Sequence, residues 1–227
     1  MLTVFDCAQG SPEWFRCRAG IPTASEFATV LAKGKDGGAS KTRRTYMLKL
    51  AGEILTGDLS ENYSNAHMER GKELEDEARR LYAFMQDAAP ATVGFIRNGD
   101  KGCSPDSLIG DKGLLEIKTA LPHILIDKLL RDDFPPEHKA QCQGALWVAE
   151  RDWIDIAVYW PKLPLYTKRA YRDEPYIKTL GAAVDAFNDE LAAVVQSVRA
   201  YAGEDVAREA FSASVMRDIS GRPMSVL

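Results

Sequence analysis

The chain has 227 residues, a length that fits one large domain or at most two small ones. With 45% hydrophobic residues, 27% charged residues and a formal net charge of −4, its composition excludes an intrinsically disordered chain. No apolar stretch approaches the roughly 18 residues of a membrane-spanning helix, and no basic flank with an apolar core begins the chain, so we expect a cytoplasmic protein with no membrane partner.

The first third of the chain is predicted to be helical. Thr23 and Glu26 have the spacing of a capping box, in which each side chain bonds to the other residue's backbone N–H at the start of a helix. Helical spacing of apolar residues extends to about residue 85, where an inward-facing stripe is predicted at Leu74, Ala78, Leu81 and Met85. The predicted helices cover residues 12–18, 23–33, 41–55 and 65–85.

The apolar pattern then changes to the alternation that is typical of strands. Strands are predicted at residues 91–97, 102–109, 114–119, 153–160 and 165–171, and helices at residues 122–130, 136–149 and 175–201. This order predicts an α/β fold: a single domain over residues 1–203 with a central mixed β-sheet flanked by helices, and a C-terminal tail over residues 204–227.

The cysteines and histidines do not predict a zinc site or a disulfide scaffold. The sequence has four cysteines without a Cys-x-x-Cys pair, and none of its three histidines stands at zinc-ligand spacing from a cysteine. Reduced and mostly buried thiols are therefore expected.

Basic residues are concentrated in one stretch of this acidic chain. Between Lys33 and Lys49 there are six basic residues against one acidic residue, Asp36. Such a stripe is compatible with DNA binding and equally with a solvated helix face. The candidate DNA contacts in this stretch are Lys35, Arg43 and Arg44.

A candidate for catalysis is formed by Asp106, Glu116 and Lys118. If a three-residue loop joins the two strands, Ile109 pairs with Gly113, and Asp106 stands opposite Glu116 with Cβ atoms roughly 4.5–5.5 Å apart. Two carboxylates this close repel each other unless a cation lies between them, and their oxygens suit Mg²⁺ or Mn²⁺. Lys118 shares the face of Glu116 and can orient or deprotonate a metal-bound water, as phosphodiester hydrolysis requires.

The alternative is a polar hairpin whose Glu116 and Lys118 face solvent. Apolar residues surround Glu116, which predicts a central strand, and a central strand does not bury a glutamate and a lysine without a reason. These apolar neighbours are Leu114, Leu115 and Ile117.

Pro105-Asp106 together with Glu116-Ile117-Lys118 resembles the PD-(D/E)xK nuclease signature. From about residue 13 to residue 150 the chain resembles one branch of that superfamily, the YqaJ-type phage recombination exonucleases of the lambda exonuclease kind. The matching segments occur in the family's order: Trp14 with Arg18–Glu26, Gly71–Glu75, Cys103–Asp106, Glu116–Lys118, and Ala140–Gln143 with Trp147.

The resemblance implies a restriction-endonuclease-like fold and a Mg²⁺-dependent 5′→3′ exonuclease. Such an enzyme degrades one strand of linear double-stranded DNA to mononucleotides and leaves a 3′ single strand for recombination by strand annealing. The family also implies two Mg²⁺ ions, for which Mn²⁺ can substitute, a ring-shaped homotrimer, a single-strand-annealing partner protein, and a bacterial or phage origin.

By resemblance, Asp106, Glu116 and the carbonyl group of Ile117 are metal ligands, and Lys118 is catalytic. Two further catalytic residues are implied, each with a simpler alternative. Glu75 matches an acidic residue that the preceding helix contributes, but it also fits an exposed glutamate paired with Arg79 four residues on. Gln141 matches a glutamine that positions the attacking water, but it also fits a surface glutamine, and the role of the nearby Gln143 is less defined still.

The resemblance also implies a site for the 5′-phosphate of the DNA end, formed by Arg18, Ser25 and Ser104. Ser25 is predicted near a helix N-terminus, where unpaired N–H groups favour an anion. Met68 matches an apolar residue that wedges between the strands at the duplex end. The simpler alternatives are a surface salt bridge for Arg18, an ordinary cap for Ser25 and a core position for Met68.

Two other functions remain open at this point. One is a PD-(D/E)xK endonuclease, such as a restriction or junction-cleaving enzyme, against which the end-binding residues argue. The other is a catalytically silent DNA-binding module on the same fold. The presence of Asp106, Glu116 and Lys118 together argues against a silent module, because such a copy has no need of all three.

Overall fold

The computed structural model describes residues 1–35, 37–38, 40–58 and 66–220, and gives only the backbone for residues 66–73 and 202–220. The helices in these residues are α1 (Pro12–Arg18), α2 (Phe27–Leu31), α3 (Lys41–Thr56), α4 (Ala66–Gln86), α5 (Pro122–Arg131), α6 (Lys139–Ala149) and α7 (Glu174–Ser220). The strands are β1 (Leu2–Phe5), β2 (Pro90–Ala91), β3 (Phe95–Asn98), β4 (Lys101–Cys103), β5 (Ser107–Ile109), β6 (Gly113–Thr119), β7 (Trp153–Tyr159) and β8 (Tyr166–Tyr171).

The strands form a mixed five-stranded sheet and a smaller three-stranded one. In the larger sheet, with strand order β2-β5-β6-β7-β8, β6 and β7 are parallel and the other neighbours are antiparallel. The smaller sheet has the order β1-β3-β4. A mixed sheet flanked by helices, in one domain, confirms the predicted fold class.

The central strand β6 separates two hydrophobic cores. Leu114 is buried in the larger core, which includes residues of α2, α3, α6 and α7. Leu115 and Ile117 point to the opposite face and pack in the smaller core with Ala78 and Tyr82 of α4. Because side chains alternate along a strand, Glu116 shares the face of Leu114 and is directed towards α6.

Two predicted strands are each divided between the two sheets. The prediction over residues 91–97 covers parts of β2 and β3, and that over residues 102–109 covers parts of β4 and β5. Gly94 marks the first division, because a Cβ atom there would lie 2.3 Å from the carbonyl oxygen of Cys7. Pro105 interrupts the second, since it has no N–H group for a ladder hydrogen bond.

The capping box predicted at Thr23 does not form. The Thr23 side chain makes no cap hydrogen bond, and its N–H donates to the Tyr46 hydroxyl at 3.2 Å. The Glu26 carboxylate accepts from the hydroxyl of Thr29 instead. A 3₁₀ turn over Ala24–Glu26 therefore precedes the short α2 where one longer helix was predicted.

The long helices differ from their predictions in detail. In α4 the fully buried aromatic residue is Tyr82, whereas Met85, predicted to face the core, is 53% exposed. Helix α7 continues past the predicted end at residue 201 to Ser220. The division into a domain of residues 1–203 and a tail of residues 204–227 stays a prediction.

Two predictions about the whole chain can be compared with the described residues. None of the described helices has the length and apolar character to cross a membrane. The four cysteines are free thiols, of which Cys103 and Cys142 are buried and Cys7 and Cys17 are half-buried.

Candidate active site

A cleft of about 200 Å³ lies where the turn before β5 meets β6, α6 and the segment around α1. It brings together residues that the sequence predicts for two different tasks, hydrolysis and recognition of a phosphate. The predicted site residues that line it are Arg18, Ser25, Ser104, Asp106, Glu116 and Gln141.

Asp106 reaches Glu116 by a route that differs from the prediction. Ile109 does pair with Gly113 as expected, but the ladder ends at the pair Ser107–Leu115. The N–H of Asp106 donates to the Leu115 carbonyl at 3.0 Å. Its carboxylate accepts the backbone N–H of Ile117 at 2.5 Å, so the side chain lies across β6 beside Glu116.

The carboxylates around Asp106 repel one another. Burial, reinforced by the charges of Glu116 and Glu75, raises the pKa of the Asp106 carboxyl well above its ordinary value. The N–H of Ile117 and the charge of Lys118 act in the opposite direction. A cation at this position would relieve the repulsion, as the sequence argument predicts.

Glu116 is the acceptor for two of the predicted catalytic side chains. It is 4% exposed, and its Oε1 accepts from Lys118 Nζ at 2.7 Å and from Gln141 Nε2 at 2.5 Å. Burial acts to lower the pKa of Lys118, but the charge and the hydrogen bond of Glu116 outweigh it, so the pKa is raised. The bond to Glu116 fixes Lys118 Nζ at the edge of the carboxylate cluster, where it can orient a water molecule or a phosphate oxygen.

Glu75 has the partner that the simpler sequence alternative predicts. Its carboxylate accepts from Arg79 at 2.5 Å, one turn further along α4. Burial raises the pKa of Glu75, Arg79 acts to lower it, and the charge of Glu116 raises it further. Glu75 therefore lies within electrostatic reach of the cleft while bonded to Arg79, and its catalytic role stays a prediction.

The predicted phosphate-binding residues are linked by a chain of contacts. The Arg18 guanidinium lies 4.1 Å from the ring centroid of Trp14 and donates to the Thr23 hydroxyl at 3.3 Å. That hydroxyl lies 3.2 Å from the hydroxyl of Ser25. The indole N–H of Trp14 donates to the Ser104 hydroxyl at 2.8 Å. Burial lowers the pKa of the Arg18 guanidinium from its ordinary, very high value, while the charges of Glu53 and Glu26 act in the opposite direction.

Three residues of the cleft were assigned no role in binding or catalysis from the sequence. Trp14 holds Ser104, and Thr23 holds Arg18. Both residues belong to the segments that match the family, and their polar groups could have indicated these roles. Gln9 donates to the carbonyls of Val93 at 2.9 Å and Pro105 at 3.0 Å, which braces the turn before Asp106. Both partners of Gln9 are backbone groups distant in sequence, so no local sequence pattern predicts this role.

Arg43, which the sequence predicts as a DNA contact, is bonded to an acidic residue of α7 in the structure. Its guanidinium donates to both carboxylate oxygens of Glu190, at 2.7 and 2.8 Å, and its side chain is only 11% exposed. It also lies 5.1 Å from the ring centroid of Phe187. Arg43 therefore joins α3 to α7, whereas Lys35 and Arg44 are exposed and remain candidates.

Two further matched positions have different outcomes. Gln143 is buried, donates to the carbonyl of Tyr171 at 2.8 Å and accepts from the N–H of Asp173 at 2.8 Å, so it holds the connection between β8 and α7. Met68 lies in the part of α4 for which only the backbone is described, so its predicted wedge role falls outside the described side chains.

The carboxylates of the cleft fit a hard divalent cation. Mg²⁺ commonly takes one or two carboxylates and keeps several waters, and Asp106 and Glu116 provide such a pair in the cleft. Among the described residues no group of three or more His, Cys, Asp or Glu side chains is arranged as a metal site. The prediction of two ions needs a further ligand, and the additional carboxylate, Glu75, is bonded to Arg79.

Comparisons with known proteins agree on one family. Residues 13–152 match the YqaJ-like viral recombinase domain. The alkaline exonuclease LHK-Exo of Laribacter hongkongensis is 32% identical, with a TM-score of 0.77 over 86% of this chain and 99% of that one. Its complex with dAMP is 33% identical, with the same TM-score and coverage.

A more distant structure shares the fold. A phage-related exonuclease from Haemophilus somnus is 15% identical, with a TM-score of 0.61 over 78% of this chain and 96% of that one. None of the curated proteins matches the sequence.

Proposed function

The chain belongs to the family of YqaJ-like viral recombinase domains, and from that premise we propose that it is a divalent-metal-dependent 5′→3′ exonuclease on linear double-stranded DNA. It releases mononucleotides from one strand and leaves a 3′ single strand for recombination by strand annealing. The similarity to an alkaline exonuclease over most of both chains supports the nuclease class.

The observation that carries this proposal is that one cleft contains both the carboxylate cluster and the residues suited to an anion. Asp106 and Glu116 lie in the same cavity as Arg18, Ser25 and Ser104. An enzyme that removes nucleotides from an end must hold the terminal phosphate close to the bond that it cleaves. An enzyme that cleaves internally needs no such second site.

Asp106 and Glu116, with the Ile117 carbonyl, would hold Mg²⁺. When bound, the ion would supply Lewis-acid chemistry and a water molecule of lowered pKa for attack on the phosphodiester. The N–H of Ile117 fixes the Asp106 carboxylate at 2.5 Å. The Lys118 ammonium group, held by Glu116, donates a hydrogen bond to the attacking water or to a phosphate oxygen as negative charge develops.

Gln141 restricts the rotation of Glu116 and presents its amide to the cleft. Its amide group can thereby accept a hydrogen bond from the attacking water. At the other end, Arg18 provides a charge-assisted bond to the terminal phosphate, and the Ser25 and Ser104 hydroxyls add donors. Trp14 fixes the rotamer of Ser104 before DNA binds.

The assembly is part of the same proposal. We expect a ring-shaped homotrimer, an annealing protein as partner, and a cytoplasmic, phage-type setting. Family membership supports these expectations.

The decisive experiment uses a 5′-phosphorylated linear duplex that is labelled at either end, with Mg²⁺ or with chelator. We expect Mg²⁺-dependent release of the 5′ label as a mononucleotide, with the 3′ label released last. Release of the 3′ label first contradicts the polarity. Nicking of covalently closed circles supports an endonuclease, and DNA binding without cleavage in Mg²⁺ or Mn²⁺ supports a silent module.

A further inference from the structure

We propose that Arg79, with Ser107, is a positioning pair that fixes Glu75 and Asp106 relative to each other across the gap between α4 and β5. The inference rests on the proposed nuclease function and adds two residues to which the family motif and the sequence analysis assign no catalytic role.

The Arg79 guanidinium bonds to three groups at once. Nη2 donates to Glu75 Oε1 at 2.5 Å, Nη1 donates to Asp76, and Nε donates to the Ser107 hydroxyl at 3.1 Å. Only 16% of the side chain is exposed. A glutamate and an arginine four residues apart on a helix usually form a weak surface pair. The bond to Ser107, 28 residues away in sequence, makes Arg79 a bridge between two elements.

Ser107 carries the bridge to the catalytic turn. Its side chain is fully buried, and its hydroxyl donates to the backbone carbonyl of Asp106 at 2.6 Å. The hydroxyl thus accepts from Arg79 and donates to Asp106, so both of its hydrogen-bonding functions are used. A continuous path of hydrogen bonds runs from Glu75 through Arg79 and Ser107 to the backbone of Asp106.

The bridge needs a guanidinium group. Arginine has five donors in a rigid planar fork, whereas a lysine ammonium is a single point that cannot reach partners on opposite sides. Without the cation, Glu75 would be a half-buried carboxylate facing the charges of Asp106 and Glu116, and repulsion would move it away from the cleft. The Asp106 turn would lose its link to α4 at the same time.

Kinetics of variants test the role of the bridge. We expect Arg79→Gln to lower kcat by up to about 10²-fold, because small displacements of catalytic groups have effects of that size. KM for DNA should change by less than about threefold, since the lost interaction lies outside the DNA contacts. The matched control is Arg80→Gln, which removes an exposed arginine next to it on α4. A kcat for Arg79→Gln within twofold of the control overturns the proposal.

Chemical rescue separates positioning from general stability. Millimolar guanidinium chloride should restore part of the activity of Arg79→Ala, while sodium chloride at the same ionic strength should not. Arg79→Lys should remain impaired, because lysine keeps the positive charge but lacks the planar set of donors of the guanidinium group. Equal activity of Arg79→Lys and wild type would show that charge alone matters and would contradict the bridge.

A double-mutant cycle tests the path through Ser107. Ser107→Ala removes the hydroxyl with little change in volume, and we expect a smaller fall in kcat than for Arg79→Gln. The double variant should be no worse than Arg79→Gln alone, because both changes break one path. Fully additive losses would show that Ser107 and Arg79 act independently.

A measurement without DNA distinguishes failure of this inference from failure of the proposed function. An Nε–H group of arginine held by a buried hydroxyl exchanges slowly and gives a separate ¹H–¹⁵N signal, identified by its loss in Arg79→Lys. We expect Ser107→Ala to shift that signal and Arg80→Gln to leave it in place. An inactive wild type with this signal overturns the function; an active wild type without it overturns the bridge.

Discussion

Glu116 places two different constraints on the residues beside it. As a buried carboxylate it requires donors, and it receives them from Lys118 and Gln141. The same contacts fix both side chains in the cleft before any substrate arrives. The same two hydrogen bonds therefore stabilise the buried Glu116 and preorganise Lys118 and Gln141 for catalysis.

Replacing Lys118 tests whether the lysine acts on the reaction or on DNA binding. We expect Lys118→Ala to bind Mn²⁺ and DNA nearly as well as wild type while kcat falls by a factor on the order of 10²–10⁴, the usual scale for a positioned acid or base group. Isothermal titration calorimetry and single-turnover rates measure the two effects separately. Lys112→Ala, on the exposed hairpin loop, is the control. Loss of DNA affinity in Lys118→Ala would make it a phosphate anchor.

The two glutamines of α6 should respond to substitution in opposite ways. Gln141→Leu should lower kcat with little change in stability, because its amide bonds to Glu116 in the cleft and to no other described residue. Gln143→Leu should lower the free energy of unfolding by about 1–3 kcal/mol, since the Tyr171 carbonyl and the Asp173 N–H lose their partner. Denaturant unfolding and rates per folded molecule distinguish them. A loss of stability in Gln141→Leu together with a loss of kcat in Gln143→Leu would contradict these assignments.

At the level of elements, the sequence predicts what local periodicity determines and misses what distant contacts determine. The apolar run around Glu116 and the loop after Ile109 were sufficient for β6 and its pairing with β5. Strand β1 was not predicted, because its four residues are mostly exposed and form a strand only by pairing with β3, which is distant in sequence. The 3₁₀ turn at Ala24 likewise depends on Tyr46, which takes the N–H of Thr23 from outside the segment.

The contact between α3 and α7 gives a prediction about the basic stretch. Arg44→Gln and Lys35→Gln should each reduce the slope of log affinity against log salt by about one. Arg43→Gln should leave the slope unchanged and lower the free energy of unfolding by about 1–2 kcal/mol, through its lost bonds to Glu190. Affinity measured across salt concentrations, with thermal unfolding, checks both effects.

The pair between Arg43 and Glu190 also has a defined pH dependence. The hydrogen bond with Arg43 lowers the pKa of Glu190 from its ordinary value. Its contribution to stability is therefore complete at neutral pH and is lost as the pH falls through that lowered pKa. Arg43→Gln should thus reduce stability at pH 7 more than at low pH. A smaller slope of log affinity against log salt in this variant would show that Arg43 contacts DNA.

At the scale of the molecule, the cleft is assembled from segments that the sequence keeps far apart. Trp14 and Ser104 are separated by 90 residues and meet through one hydrogen bond. The family resemblance predicted that Arg18, Ser25 and Ser104 serve one purpose, and the structure brings them to one cavity. The links between them, through Trp14 and Thr23, follow from the packing of α1 against the turn before β5, which no local pattern contains.

The arrangement of the whole cleft predicts a preference for phosphorylated ends. A terminal 5′-phosphate is a dianion, and it gains charge-assisted hydrogen bonds from Arg18 that a hydroxyl end lacks. Arg18 lies against Trp14, donates to Thr23 and lines the cleft, so its guanidinium can reach a phosphate bound there. We therefore expect wild type to digest a 5′-phosphorylated duplex faster than the same duplex with a 5′-hydroxyl.

Arg18→Ala should slow digestion of phosphorylated ends and reduce the difference between the two substrates, while Mn²⁺ binding stays unchanged because Arg18 is not a metal ligand. Arg16→Ala, an exposed arginine on the same helix, is the matched control and should keep the wild-type preference. Initial rates on two duplexes that differ only in the 5′ group are measured for each protein. Equal wild-type rates on both ends would contradict end recognition, because a cleft that binds the terminal phosphate must distinguish a dianion from a neutral hydroxyl.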